Sequence, residues 1–242
     1  QKEVIKQTLR AFIDTLKEGK AGTTVINGGA GTGKSLVGIK LIHILTNLND
    51  YSSHDSFSDY DEEWELLCNE LIAFQKNIGR EIRVAYVAPM QSFKHDLQKV
   101  FKQTAGLKTD MLKNTSDISD NMTGYYDLVI VDEAHRLKHK KNMGMTIGQF
   151  YKNCKRHGLD KNTANQLDLI MAMSKYRVLF YDQRQSVKPA DLTHDEFEAS
   201  INKEGQTSPQ WLYLKSQLRC QGGDDFIDYI NDILNYKNPE KH

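Results

Sequence analysis

One glycine-rich run constrains this chain more than any other feature of its sequence. The run "NGGAGTGKSLVG", residues 27–38, fits the phosphate-binding pattern G-x-x-x-x-G-K-[ST]. The β-branched residues 23–27 predict a short buried strand before it, and residues 35–48 carry apolar side chains at helical spacing after it. A strand, a glycine-rich loop and a helix in this order are the context the pattern requires. We therefore predict an α/β protein with a nucleotide site, and a glycine-rich turn that matches by chance is the weaker alternative.

Residues 28–35, which we name the glycine loop, have the residue types that phosphate binding needs. Glycine tolerates positive φ and lets backbone N–H groups approach phosphate oxygens, and the following helix N-terminus adds a partial positive charge. Lys34 is predicted to reach the β- and γ-phosphates, and the Ser35 hydroxyl is predicted to ligate Mg²⁺. The predicted nucleotide-binding residues of the loop are Gly28, Gly29, Ala30, Gly31, Thr32, Gly33, Lys34 and Ser35.

An acidic pair follows a second apolar strand. Asp132 ends the apolar run 128–131, and Glu133 comes directly after it. Because parallel α/β sheets bind ligands at the carboxyl ends of their strands, Asp132 is predicted to hold Mg²⁺ together with Ser35. Glu133 is then the candidate to orient and deprotonate an attacking water. A pair that only caps a helix is the alternative, weakened by the strand before the pair and by the upstream glycine loop.

The order of the motifs indicates which nucleotide is bound. A further predicted strand, residues 82–90, lies between the glycine loop and Asp132, and no N-K-x-D guanine-reading signature occurs in the chain. Together with a candidate base after the metal-binding aspartate, this order favours the ATP-driven motors over the small GTPases. ATP and Mg²⁺ are therefore the expected cofactors, and ATP hydrolysis is the expected activity.

Two later segments supply further catalytic candidates. Gln185 follows the predicted strand 176–182 in a polar cluster, and Arg219 stands near the end of a less regular strand within residues 209–219. A guanidinium at this edge of the sheet is suited to stabilise charge on a transferring phosphate. For each residue taken alone, a surface position without a role in catalysis is an equal alternative.

Composition and patterning predict the domain organisation. The chain has 242 residues, with 32 Lys and Arg against 32 Asp and Glu, and alternating strands and helices predict a mainly parallel sheet covered on both faces. We predict one domain over residues 1–235 and a tail at 236–242. The domain carries a serine-rich, acidic surface insertion near 49–80 and a basic helical insertion near 136–170.

Cysteine usage and hydropathy narrow the cellular setting. Cys68, Cys154 and Cys220 show no metal-binding spacing, which favours reduced thiols in a cytoplasmic protein without a cysteine metal site. No apolar run reaches membrane-spanning length, and no signal peptide is visible. Since the first residue is Gln1 and the last residues are polar, we expect the chain to be part of a longer protein.

The basic insertion contains two runs rich in Lys and Arg, at residues 135–142 and 151–161, and two aromatic residues, Phe150 and Tyr151, stand at the start of the second run. Such a surface can neutralise phosphates, and an aromatic ring can stack on a base, so DNA or RNA is an expected partner through backbone contacts of low specificity. A solvated, lysine-rich loop is the alternative. His135 is expected either to relay between nucleotide and nucleic acid or to make a structural hydrogen bond.

The motifs "GGAGTGKS", "YVAP", "VDEAHR", "YDQRQS" and "QLR", in this order, resemble the first RecA-like domain of superfamily I helicases. The chain is most similar to the Schlafen-type DNA/RNA helicase domains, from Gln1 to about residue 229. This resemblance implies a RecA-like P-loop fold with three α/β/α layers. It also implies that Gln1 reads the adenine edge, that Gln185 senses the γ-phosphate, that Arg219 lies in the same pocket, and that the segment around Pro89 touches a nucleic-acid backbone.

The chain also departs from that family pattern. Tyr181 precedes Asp182 where the family usually has glycine, "SQLRC" replaces an aromatic-bearing motif, and few residues follow Arg219. Helicases of this type hydrolyse ATP in a cleft between two RecA-like domains. We therefore expect this chain alone to bind ATP, hydrolyse it weakly and unwind nothing, with a second RecA-like or partner domain outside it. An ATP-dependent regulatory switch without unwinding activity is the alternative function.

Overall fold

The computed structural model describes residues 1–29, 31–52, 62–88, 91–120, 123–140, 143–183, 188–203 and 206–214. Five residues named above lie outside these ranges and are not placed: Ala30, Pro89, Gln185, Arg219 and Cys220.

Within the described ranges, six parallel strands form one sheet, and four of them are the strands that the apolar runs predict. The strands are β1 (Gly22–Gly28), β2 (Val84–Val87), β3 (Leu112–Lys113), β4 (Tyr126–Val131), β5 (Ser174–Tyr181) and β6 (Gln210–Leu214). Their order across the sheet is β3-β2-β4-β5-β1-β6. The less regular strand predicted within residues 209–219 corresponds to β6. The two-residue strand β3 was not predicted, because two residues show no alternation of apolar and polar side chains.

Eight α-helices accompany the sheet. They are α1 (Lys2–Lys17), α2 (Lys34–Thr46), α3 (Leu48–Ser52), α4 (Glu62–Asn77), α5 (Gln91–Gln103), α6 (Ile147–Arg156), α7 (Gln166–Met173) and α8 (His194–Ile201). This count refers to the residues that the structure describes. Helix α2 begins at Lys34, so the last two residues of the glycine loop are already helical, and the apolar spacing after the loop predicts this helix.

The sheet is covered on both faces, because neighbouring side chains of each strand point to opposite sides. Ile26, Ile130 and Phe180 face one side and pack in a core with helices α1 to α5. Their strand neighbours, such as Val25 and Leu179, face the other side and pack with α7 and α8. The predicted three-layer α/β/α fold with a parallel sheet is therefore confirmed.

The order of the strands brings three chain segments to one edge of the sheet. Strand β5 lies between β1 and β4, and it pairs with both in parallel. Gly28 ends β1, Asp132 follows β4 and Asp182 follows β5. Because parallel strands end at the same edge, residues far apart in sequence meet there, and this is the edge where α/β folds bind ligands.

The segment near residues 49–80 contributes to the main core. Helix α4 buries Trp64, Leu67, Cys68 and Leu71 in the cluster that also contains the buried face of α1. Cys68 and Cys154 are free, buried thiols, and burial raises the pKa of the Cys68 thiol to about 12. In the described part of the chain, none of the helices combines the length and apolar character needed to cross a bilayer.

The basic insertion forms a small core of its own beside the sheet. Met143, Phe150, Cys154, Ala164 and Leu169 form this cluster, with Tyr151 packed at its border. Phe150 is 5% exposed, so it is part of the core and is not available to stack on a base. Of the two aromatic residues considered for base stacking, only Tyr151 reaches the surface.

Candidate active site

The backbone of the glycine loop requires glycine at several of its positions. Gly31 and Gly33 have φ angles of 77° and 82°, in the left-handed region that side chains disfavour. Gly33 is the N-cap of α2, so the loop turns directly into that helix. At Gly28, a Cβ atom would lie 2.6 Å from the Thr32 hydroxyl oxygen and 3.1 Å from the Leu214 Cβ.

Lys34 directs its ammonium group into the glycine loop. Its Nζ donates hydrogen bonds to the Gly28 carbonyl oxygen at 2.6 Å and to the Gly29 carbonyl oxygen at 3.0 Å. The same nitrogen lies 3.9 Å from Oδ2 of Asp182, and both side chains are buried. A buried cation enclosed by a loop rich in backbone N–H groups is suited to bind an anion such as a phosphate.

Ser35 and Asp132 meet at the edge of the sheet. The Ser35 hydroxyl donates a 2.8 Å hydrogen bond to Oδ2 of Asp132, and Asp132 is 2% exposed. Burial raises the pKa of the Asp132 carboxyl, although hydrogen bonds from Ser35 and Tyr86 act in the opposite direction. A hydroxyl and a carboxylate in contact are hard oxygen donors of the kind Mg²⁺ takes from a protein, while phosphates and water supply the rest.

The two oxygen ligands of this pair are compatible with Mg²⁺ bound together with a nucleotide. Among the residues placed by the structure, no three His, Cys, Asp or Glu side chains cluster closely enough to hold a metal ion. Mg²⁺ in nucleotide sites is held by one or two carboxylates together with substrate phosphates.

Glu133 stands in a strained and charged environment beside this pair. Its φ of 47° is the only positive value at a non-glycine residue in the described ranges, and such outliers concentrate at functional sites. Its Oε2 lies 2.9 Å from Nε2 of His135 and 3.3 Å from Nε of Arg136. Burial opposes ionisation of Glu133, but the hydrogen bonds of His135 and Arg136 and the positive charge of Lys34 together hold its pKa below the ordinary value. An ionised carboxylate can accept a proton.

His135 makes the hydrogen bond to Glu133 from a buried position, since it is 2% exposed. This hydrogen bond fits both roles that the sequence left open for His135. Gln1 lies at the other side of the glycine loop, where its Nε2 donates a 3.1 Å hydrogen bond to the Thr32 carbonyl oxygen. This contact joins the start of α1 to the loop.

Sequence reasoning did not find Tyr86. Its hydroxyl donates a 2.8 Å hydrogen bond to Oδ2 of Asp132, but in the sequence it is one aromatic residue within an apolar strand. Its proximity to Asp132 depends on the pairing of β2 with β4, which the local sequence does not reveal. A polar atom in the middle of a buried strand is the one local signal, because a buried tyrosine hydroxyl requires a partner.

The chain has similarity to known proteins over most of its length. The uncharacterized protein YPL245W of Saccharomyces cerevisiae is 24% identical over 215 residues, which cover 86% of this chain and 40% of that protein. A solved structure of Pif1 helicase, concerned with DNA unwinding at forked double-stranded DNA by two coordinating Pif1 helicases, is 13% identical to this chain. The match covers 95% of this chain and 48% of that chain, with a TM-score of 0.33. Bacteroides Pif1 bound to single-stranded DNA has 13% identity, 95% and 46% coverage, and a TM-score of 0.30.

The chain spans less than half of each of these three proteins. The family model for "Schlafen group 3, DNA/RNA helicase domain" matches residues 22–242, which is most of the chain and includes the glycine loop and the acidic pair. This chain therefore belongs to the Schlafen group 3 family of DNA/RNA helicase domains.

Proposed function

We propose that this chain is the ATP-binding and ATP-hydrolysing motor domain of a superfamily I-like DNA/RNA helicase or translocase. The observation that carries the proposal is the 2.8 Å hydrogen bond between Ser35 and Asp132, with Lys34 enclosed in the glycine loop beside it. Membership in a family of helicase domains supports the same function.

Each residue at this edge has a part in the proposed reaction. Bound ATP with Mg²⁺ supplies the phosphoryl group that water attacks. Lys34 and the backbone N–H groups of the glycine loop bind phosphate oxygens, and Ser35 and Asp132 hold the metal. Glu133 orients the water and accepts its proton, because its neighbours keep the carboxylate ionised.

Three further residues complete the proposal on the strength of family resemblance. Gln1 would read the adenine edge, and its contact with the Thr32 carbonyl places it next to the glycine loop. Gln185 and Arg219 would sense the γ-phosphate and stabilise the charge that develops on it. A second RecA-like or partner domain outside this chain would complete the cleft, so hydrolysis by this chain alone would be slow.

The basic insertion would contact DNA or RNA through phosphates. Residues 136–170 contain eight Lys and Arg but only two acidic residues, in a chain with no net charge. Lys152, Lys155 and Arg156 are exposed on α6. The insertion is joined to the active edge of the sheet, since the backbone N–H of Leu192, beyond β5, donates to the Leu137 carbonyl at 2.7 Å.

Tyr151 offers the insertion an aromatic surface. Nζ of Lys140 lies 5.9 Å from the centre of the Tyr151 ring, and Nζ of Lys161 lies 5.6 Å from it. Two ammonium groups beside one half-buried ring combine charge for phosphates with a planar group for bases, as in surfaces that bind single strands. This arrangement supports binding of low sequence specificity.

The test is the ATPase rate of the longest form of the protein, with and without single-stranded DNA or RNA. We expect stimulation that weakens when Lys152, Lys155 and Arg156 are all changed to Glu. A matched control changes Lys99 and Lys102, exposed on α5, to Glu, and this change should leave stimulation intact. If the protein shows no stimulation and no binding to nucleic acid at low salt, the motor function is rejected and the ATP-dependent regulatory switch is favoured.

A further inference from the structure

Tyr86 lies beneath the candidate metal site. It is fully buried in β2, where it is in register with Ile130 of β4. Asp132 lies two residues beyond Ile130, so Tyr86 and Asp132 project from the same face of the sheet. The tyrosine hydroxyl donates a 2.8 Å hydrogen bond to Oδ2 of that aspartate.

The Asp132 carboxylate is held by three donors. Oδ2 accepts hydrogen bonds from both Tyr86 and Ser35, each at 2.8 Å. Oδ1 accepts from the backbone N–H of Glu133 at 3.0 Å. Because Ser35 is itself a candidate ligand of the metal, Tyr86 is the one side-chain donor among these three residues that has no direct part in binding the nucleotide or the metal.

A glycine in α2 provides the space for the Tyr86 ring. A Cβ atom at Gly38 would lie 2.8 Å from Cε2 of Tyr86 and 2.8 Å from Cε2 of Phe180. Gly38 stands one helical turn after Ser35, so the helix that carries a candidate metal ligand also packs on the tyrosine. Packing thus fixes the ring, and the ring fixes the position of the hydroxyl.

We propose that Tyr86 is a positioning residue of the metal site, whose hydroxyl holds the Asp132 carboxylate in the orientation that serves Mg²⁺ beside Ser35. This inference rests on the proposed function, because it assumes that Ser35 and Asp132 hold the metal of a bound nucleotide. Removing a side chain that hydrogen-bonds to a metal ligand typically lowers the affinity for the metal by about 10–100-fold.

A second buried tyrosine provides a matched control. Tyr176 in β5 is also buried in the core on the same face of the sheet, and its hydroxyl is 2.7 Å from the Thr24 hydroxyl. Both tyrosines therefore make a short hydrogen bond inside the same core, but only Tyr86 contacts Asp132. If these hydroxyls serve stability alone, replacing either tyrosine by Phe should have similar consequences.

The experiment compares Tyr86→Phe and Tyr176→Phe with the wild type. Binding of a fluorescent ATP analogue is titrated against Mg²⁺, Mn²⁺ binding is followed by electron paramagnetic resonance, and thermal unfolding is recorded for all three proteins. We expect both variants to lose some thermal stability. Only Tyr86→Phe should raise the Mg²⁺ concentration for half-maximal nucleotide binding, by about tenfold or more.

A Tyr86→Phe protein that folds and keeps the metal dependence of the wild type overturns this inference and leaves the proposed function standing. A wild-type protein whose nucleotide binding does not respond to Mg²⁺ overturns both. If Tyr86→Phe does not fold, Gly38→Ala is the second variant, because it displaces the ring and keeps the hydroxyl. It should also raise the Mg²⁺ requirement. A Gly38→Ala protein that loses stability, as a displaced ring requires, but keeps the Mg²⁺ requirement of the wild type would overturn the inference.

Discussion

The Ser35 hydroxyl donates a hydrogen bond to Oδ2 of Asp132 across 97 positions of sequence. Ser35 lies in the first turn of α2, after β1, and Asp132 follows β4, with β5 lying between these two strands in the sheet. The contact therefore requires the whole central sheet to be in register. It joins the segment that would bind phosphate to the segment that would activate water.

Replacing Lys34 should remove nucleotide binding. Its ammonium group is enclosed by the glycine loop, and Lys34→Ala deletes the only side-chain cation within that loop, residues 28–35. We expect affinity for an ATP analogue to fall by at least about 100-fold, comparable to the loss of a buried charged hydrogen-bonding group. Lys99→Ala on α5 is the control, and equal affinity in the two variants would contradict the assignment.

Two glycines in helices should respond oppositely to alanine. Gly38→Ala places a Cβ against the buried rings of Tyr86 and Phe180, and overpacking of this kind costs about 1–3 kcal/mol of unfolding free energy. At Gly148 in α6, no atom lies within 4 Å of an added Cβ. Gly148→Ala should therefore stabilise the protein slightly, by up to about 1 kcal/mol. Urea denaturation measures both, and an unaffected Gly38→Ala would show that α2 can move away from the sheet.

A buried carboxylate at the opposite edge of the sheet should make stability depend on pH. Asp127 is fully buried and accepts hydrogen bonds from Arg80, the Arg83 backbone N–H and Lys175. Burial opposes its ionisation, but these donors together hold its pKa below the ordinary value. Its charged form is therefore favoured in the folded state.

A lowered pKa in the folded state stabilises the protein above the ordinary aspartate pKa of about 3.9, and this stabilisation is lost as the pH falls through the folded value. Asp127→Asn should reduce the free energy of unfolding at neutral pH by about 2 kcal/mol. The loss is moderate because the two cations, Arg80 and Lys175, are partly exposed and their charges are screened by solvent. The difference from wild type should shrink as the pH approaches 3. The exposed Asp110→Asn should show no such trend, and a pH-independent difference would contradict the ionic account.

Much of the fold follows from the sequence, because its main strands are continuous apolar runs. The run before Asp132 and the run before Asp182 predict β4 and β5, and the glycine loop predicts the junction of β1 with α2. The sequence did not predict α7 and α8. The N-terminal capping residues of both helices are nevertheless visible in the sequence, as Asn165 with Asp168 and Thr193 with Glu196. These capping boxes are a local signal from which both helices could have been predicted.

The sequence predicts the motif residues of the candidate site, but it does not predict the residue that holds one of them in place. Lys34, Ser35, Asp132 and Glu133 belong to motifs whose spacing is local, so the sequence alone is enough to propose them. Tyr86 supports Asp132 through the pairing of β2 with β4. Such a contact depends on which strands become neighbours, and no local pattern states that. The buried state of Phe150 was also missed: Cys154, one turn further along α6, is a local partner, but Ala164 and Leu169 come from segments beyond that helix.

Glu133→Gln tests the central claim most directly, since it keeps the shape of the side chain and removes its ability to accept a proton. ATP binding and single-turnover hydrolysis should be measured on the same preparation of the longest form of the protein. We predict that ATP affinity stays within about threefold of the wild type while the rate of hydrolysis falls by about 100-fold or more. Glu198→Gln, on α8, should leave both unchanged. Hydrolysis at the wild-type rate in Glu133→Gln would contradict the assignment of the catalytic base and with it the account of this site.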